Sequence, residues 1–97
     1  MLTSKQRSYL KNLAANLPDT LHIGKDGLSE NIILQAEGVL TARELIKGKI
    51  QQNSAEDVRE TAAAIAQRTN AEVVATIGRK FILFRQKKQD SQYTLPR

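Results

Sequence analysis

Ninety-seven residues make one domain, long enough to bury a core without staples. The chain has no cysteine and a single histidine, His22. That excludes a disulfide framework, a thiolate or multi-histidine metal site and thiol catalysis, and it leaves no nucleophile–base set for a small enzyme. No apolar run approaches the roughly 18 residues of a membrane span. Met1 to Leu10 lacks the apolar segment of a secretory signal, so the expected location is the cytoplasm. Charge says more. Fifteen basic residues against ten acidic give +5. Residues 1–76 hold nine of each, whereas residues 77–97 hold Arg79, Lys80, Arg85, Lys87, Lys88 and Arg97 against Asp90 alone. An excess gathered at one end suits a polyanionic partner, nucleic acid first. The competing reading is a solvated tail that serves solubility.

In chain order, the first helix is expected to open at Thr3 or Ser4, where Thr3 and Gln6 have capping-box spacing. Leu10, Leu13, Ala14 and Leu17 recur as an apolar helical stripe, and Pro18-Asp19 ends it. Thr20 to Ile23 alternates as a short strand, with Leu21 and Ile23 on one face. Gly24-Lys25-Asp26-Gly27 is a turn. Ser29 is expected to N-cap a second helix with Ile32, Ala36, Val39 and Leu40 on its inner side. Gly38 inside that helix costs about 1 kcal/mol against alanine, and close packing on a sheet would explain it. Leu45 to Ile50 is the next strand: Leu45, Lys47 and Lys49 point one way, Ile46 and Ile50 the other. Ser54 with Asp57 opens a third helix with Val58, Ala62, Ile65 and Ala66 inside, and Asn70 is a reasonable stop. Glu72 to Ile77 and Phe81 to Phe84 are β runs joined as a hairpin through Gly78-Arg79-Lys80. From Gln86 onward pattern is lost. The domain is taken as residues 1–86, and residues 87–97 are expected to form a basic, flexible tail.

The order α-β-α-β-α-β-β predicts an α/β fold: a four-stranded mixed sheet with three helices in a single compact domain. Strands separated by helices should run parallel and the last pair antiparallel. Crossovers of one hand place all three helices on one face of so small a sheet.

Several residues could carry binding. The two glycines of Gly24-Lys25-Asp26-Gly27 let a backbone approach an anion at a helix N-terminus, and Lys25 adds charge. A loop of this kind clamps the nucleic-acid backbone in KH domains, although Gly-x-x-Gly is also a common plain turn. Lys47 and Lys49 share a strand face, either as a phosphate-binding stripe on an open sheet or as lysines guarding an edge strand. Gly78, Arg79 and Lys80 form a hairpin tip that can project cations into a groove, and Arg85, Lys87 and Lys88 follow the last strand. Tyr9, Phe81, Phe84 and Tyr93 are the only aromatics, and Phe81 and Phe84 have opposite parity. No stacking platform results, which favours backbone and shape recognition over base-by-base readout. His22 is on the polar parity of its strand and is read as a structural or surface residue rather than a metal ligand. Glu56, Asp57 and Glu60 complement a helix dipole rather than catalyse.

Three segments together resemble one family. Ile23-Gly24-Lys25-Asp26-Gly27-Leu28-Ser29, then Glu44-Leu45-Ile46-Lys47-Gly48-Lys49-Ile50, then Ile77-Gly78-Arg79-Lys80 leading to Leu83-Phe84-Arg85, are similar to the CRM domain and in particular to its stand-alone bacterial YhbY-like form. Leu95-Pro96-Arg97 also matches. The resemblance implies an RNA-binding module with a KH-like fold, similar to the C-terminal domain of bacterial translation initiation factor three. In bacteria it implies association with precursor large ribosomal subunits. The family's loop falls on Gly24 to Gly27, its basic strand positions on Lys47 and Lys49, and its late glycine and tyrosine–arginine pair on Gly78, Phe84 and Arg85. Phe84 departs from the usual tyrosine. Gly48 departs from an apolar strand residue and should weaken its strand.

The expectation is therefore a non-enzymatic, monomeric RNA-binding protein acting on large-subunit ribosomal RNA during assembly, with no cofactor and no metal. Its contact set is Gly24, Lys25, Asp26, Gly27, Lys47, Lys49, Gly78, Arg79, Lys80, Arg85, Lys87 and Lys88. The alternative is a module that docks on a ribosomal protein and uses charge only for steering.

Overall fold

The computed structural model describes residues 2–52 and 57–97. Its elements are α1 (Ser4–Ala14), β1 (Asp19–Ile23), α2 (Glu30–Arg43), β2 (Leu45–Ile50), α3 (Val58–Thr69), β3 (Glu72–Ile77) and β4 (Lys80–Phe84). The expected order is thus the observed one, and the strands lie in the spatial order β1-β2-β4-β3. β1 and β2 are parallel, while β4 pairs antiparallel with both β2 and β3. β2 is an interior strand, so Lys47 and Lys49 do not guard an edge.

The helix ends follow local chemistry. Thr3 and Gln6 form the full capping box, each side chain accepting the other's backbone N–H. Ser29 caps α2 by accepting the Ile32 N–H. Asp57 caps α3, accepting the N–H groups of Arg59 and Glu60. Ser54 and Glu56, also expected at this helix start, lie outside the described residues. Asn70 closes α3 in the left-handed region at φ 57°, which asparagine tolerates better than most residues.

Two cores sandwich the sheet. Ile32, Ile33, Ala36 and Leu40 of α2 and Ala62, Ile65 and Ala66 of α3 pack on Leu21, Ile23, Ile46, Ile50, Phe81 and Leu83. On the other face, Leu10 and Ala14 of α1 pack on Leu45, Val74, Ile82 and Phe84. The helices are therefore split two and one, which corrects the expectation of three on one face. Handedness constrains a helix that connects two parallel strands. α1 precedes the first strand and is free of that rule, and its apolar side goes where strand parity leaves Leu45, Ile82 and Phe84 uncovered.

Other expectations are corrected by packing. Leu13 is 41% exposed, and Leu17 reaches the core from beyond the end of the helix. Gly38 is exposed, with nothing within 4 Å of the place a Cβ would occupy; nothing in the structure explains it. Gly48 does have a reason. It pairs with Phe81 across β2 and β4, and a Cβ there would meet the fully buried Phe81 ring at 2.3 Å. The glycine is the space the ring fills. The strand gains a buried aromatic, worth up to about 3 kcal/mol, where the sequence suggested only weakness.

The segment after β4 has no regular secondary structure but is not free of the domain. Tyr93 packs edge-on against Phe84 with ring centroids 5.6 Å apart. Leu95 joins the α1 core, and the Pro96 carbonyl accepts from the Gln6 amide at 3.0 Å. Tyr93, Leu95 and Pro96 of the segment expected as a tail thus make contacts with the domain.

Candidate nucleic-acid interface

Parallel β1 and β2 both finish at one end of the sheet, and the β3–β4 hairpin turns there too. Backbone bonds tie these three segments in a row. The Gln51 N–H donates to the Ile23 carbonyl at 2.8 Å, and the Ile50 N–H to the Arg79 carbonyl at 2.8 Å. The Arg79 guanidinium also donates to the Gln51 carbonyl at 3.2 Å. The Gly24–Gly27 loop, the end of β2 and the hairpin tip therefore form one continuous rim.

Within the loop, the Gly27 N–H donates to the Gly24 carbonyl at 3.0 Å, which leaves Lys25 and Asp26 exposed at the tip. Gly27 sits at φ 69°, a conformation that favours glycine. Gly24 has open space around it, so a ligand can approach its backbone. The helix N-terminus beyond is already served by Ser29 and by Glu30, which pairs with Arg68 at 2.8 Å. That hydrogen bond, with the Arg68 charge, lowers the Glu30 carboxyl pKa. An anion at this loop would thus rely on Lys25 and the turn's backbone more than on the helix dipole. In the hairpin, Ile77 pairs with Lys80 across a two-residue turn, and Gly78 takes φ 59° at the first central position, as a II′ turn requires.

The lysines share the face on which α1 packs. Lys49 and Lys80 are directly opposed across β2 and β4. Like charges so placed repel, a cost that a bound anion would relieve. Within the protein, Lys80 reaches the Asp19 carboxylate at 3.4 Å. Lys47 donates to the Ala15 carbonyl, just past the end of α1, at 3.3 Å, where a cation suits the helix dipole.

The remaining predicted residues lie at the other end of β4, a strand of about 13 Å. Arg85 is half-buried there, donating to the Thr69 carbonyl and the Thr41 hydroxyl at 2.8 Å each and pairing with Glu37 at 2.7 Å. The bond from Arg85 is the main reason the Glu37 carboxyl pKa is lowered. Arg85 therefore clamps the C-terminal ends of α2 and α3 together. Lys88 is exposed nearby and Lys87 half-buried.

Sequence reasoning missed Glu44. This residue is fully buried and has φ 66°, a rare conformation for a residue with a Cβ. Its carboxylate accepts from the Lys87 N–H at 2.9 Å, the Ser91 hydroxyl at 2.6 Å and the Gln92 N–H at 2.9 Å. Burial pushes its pKa up, but those three bonds and the Lys87 charge outweigh burial and hold it below the ordinary glutamate value. Nothing local marks Glu44 in the sequence, because its donors lie far along the chain.

No helix among the described residues is long and apolar enough to cross a membrane. None of their His, Asp or Glu side chains form a group able to hold a metal ion.

Known proteins resemble this chain in both sequence and fold. Residues 2–85 match the family described as the CRS1/YhbY (CRM) domain. The chain is 38% identical to a Bacillus subtilis protein named "Probable RNA-binding protein YqeI", over 99% of this chain and 100% of that one. It is 34% identical to an "RNA-binding protein" of Haemophilus influenzae, over 99% of this chain and 96% of the relative. Its fold superposes on the solution structure of the hypothetical protein SAV1595 from Staphylococcus aureus with a TM-score of 0.84 and 40% identity, covering 99% and 100% of the two chains. None of these names denotes an enzyme. With the match spanning nearly the whole chain in both sequence and fold, the protein belongs to the CRS1/YhbY (CRM) domain family.

Proposed function

We propose that this protein binds RNA, and that its target is ribosomal RNA in precursor large subunits, where it acts in the cytoplasm as an assembly factor. The observation that carries RNA binding is the continuous rim at one end of the sheet. There a glycine turn open to backbone approach, a cationic hairpin tip and two opposed lysines meet. The relatives' names support RNA as the ligand, and the family resemblance alone suggests the ribosomal target. Gly24 admits a phosphate close to the main chain, the buried Gly27 shapes the turn at φ 69°, Asp26 sits beside that contact, and Gly78 shapes the tip. Lys25, Lys47, Lys49, Arg79 and Lys80 supply the charge. Arg85 is assigned to the internal clamp. Lys87 and Lys88, at the far end of the sheet, add a weaker and less specific attraction.

Five phosphate contacts give log K against log[salt] a slope of about −3.5 on single strands. Titrating labelled ribosomal RNA fragments across a salt series measures it, and a flat response would defeat the electrostatic mechanism. Sedimentation of the tagged protein in a bacterial lysate tests the target. Comigration with large-subunit precursors at low salt, lost at moderate salt, is the expected result. A peak only at the top of the gradient under both conditions contradicts it.

A further inference from the structure

α1 covers only part of its face of the sheet. The helix ends at Ala14, and past it Ile77 stands 52% exposed beside the buried Ile82. Between the end of α1 and the sheet runs a groove of ≈ 190 Å³ whose lining includes Lys11, Ala15, Lys47, Ile77, Lys80 and Ile82. We propose that this groove seats one unpaired nucleobase of the RNA, with its ring against Ile77 and Ile82 and its flanking phosphates on Lys11, Lys47 and Lys80. The proposal rests on the RNA-binding reading and adds to it a preference for single-stranded or bulged RNA.

The chemistry of the lining selects the occupant. A phosphate gains nothing from two isoleucines, whereas the flat face of a base does. A bare apolar segment gains nothing from three ammonium groups, whereas the phosphates on either side of a base do. Binding to single strands commonly joins these two features, and here aliphatic side chains replace the missing aromatic platform. A base stacked in a duplex has its faces covered and must be extruded before it can enter. The lysines retain capacity. Lys47 uses one of its three donors on the Ala15 carbonyl. Lys80 faces the Asp19 carboxylate at 3.4 Å, so three ammonium groups stand against one carboxylate. The groove also meets the rim described above, since Ile77 and Lys80 are the first pair below the Gly78–Arg79 tip.

The test is Ile77→Ser, at a half-exposed position whose replacement leaves the fold intact by circular dichroism. Affinity for a single-stranded RNA oligonucleotide should fall about tenfold, while affinity for a duplex of the same length stays within about twofold. Equal losses on both, or no loss on the single strand, overturn the groove. If Lys49→Ala and Arg79→Ala still weaken binding in that case, the RNA-binding reading stands without it. If the wild-type protein binds neither RNA at low salt, both fall. A benzoylphenylalanine photocrosslinker placed at position 77 should crosslink to RNA in purified precursor particles; crosslinks to protein alone assign the groove to a peptide and overturn the proposal.

Discussion

The two ends of the sheet put the same kinds of residue to opposite use. At the loop and hairpin end, Lys25, Asp26 and Arg79 project outward and Lys49 faces Lys80 across two strands. At the other end, the Arg85 guanidinium is held by Thr69, Thr41 and Glu37, and the buried Glu44 carboxylate gathers three donors from residues 87–92. The basic excess of residues 77–97 looks uniform along the chain. Folded, it divides: Arg79 and Lys80 sit where a ligand can reach them, and Arg85 holds helices together. Net charge marks a polyanion binder, while hydrogen-bond satisfaction shows which cations are available to the polyanion.

Substitutions at the two ends test that contrast. The largest expected effect is Glu44→Ala, which strands the Lys87 and Gln92 N–H groups, leaves the Ser91 hydroxyl only the Tyr93 carbonyl at 3.3 Å and should cost about 3 kcal/mol in urea unfolding, with RNA affinity unchanged. This loss depends on pH. Folding holds the Glu44 carboxyl below its ordinary value, so the ionised form favours the folded state. Its contribution is full at neutral pH and is lost as pH falls through the ordinary glutamate range and on through the lowered native value. The stability gap between wild type and Glu44→Ala should therefore narrow in acid; a gap that widens refutes the clasp. Next, Gly48→Ala should cost about 2 kcal/mol by overpacking against Phe81. The double variant with Phe81→Leu should recover part of that loss, and strict additivity would show that the ring is not the obstacle.

Arg85→Ala should cost somewhat less, about 1.5 kcal/mol, because its partner Glu37 is half-exposed and the pair is screened. Its RNA affinity and salt slope should match wild type. A reduced slope would place Arg85 at the ligand and dissolve the contrast between the two ends. The smallest change in stability is expected for Lys49→Ala, which removes a like-charge pair and should leave stability equal or slightly raised, by about 0.5 kcal/mol at most. It should flatten the single-strand salt slope by about 0.7.

The elements themselves were legible because their signals are local. Thr3 with Gln6, Ser29, Asp57 and Asn70 mark helix ends through bonds that span two to four residues, and strand parity in Leu45 to Ile50 follows from the backbone pleat. The loop and hairpin tip were legible for the same reason, since Gly27 and Gly78 answer to backbone conformation within a four-residue turn. The sequence alone thus determined the order of elements, the faces of β1, β2 and β4 and which segments carry the charge, whereas a register shift in β3 sets adjacent Val74 and Ala75 against the same core. Tertiary structure alone decided the side on which α1 packs, the match of Gly48 to the Phe81 ring, the withdrawal of Arg85 into a clamp and the capture of residues 87–92 by Glu44. Each of those outcomes depends on partners dozens of residues apart, and a partner that distant leaves no periodicity in the chain to read.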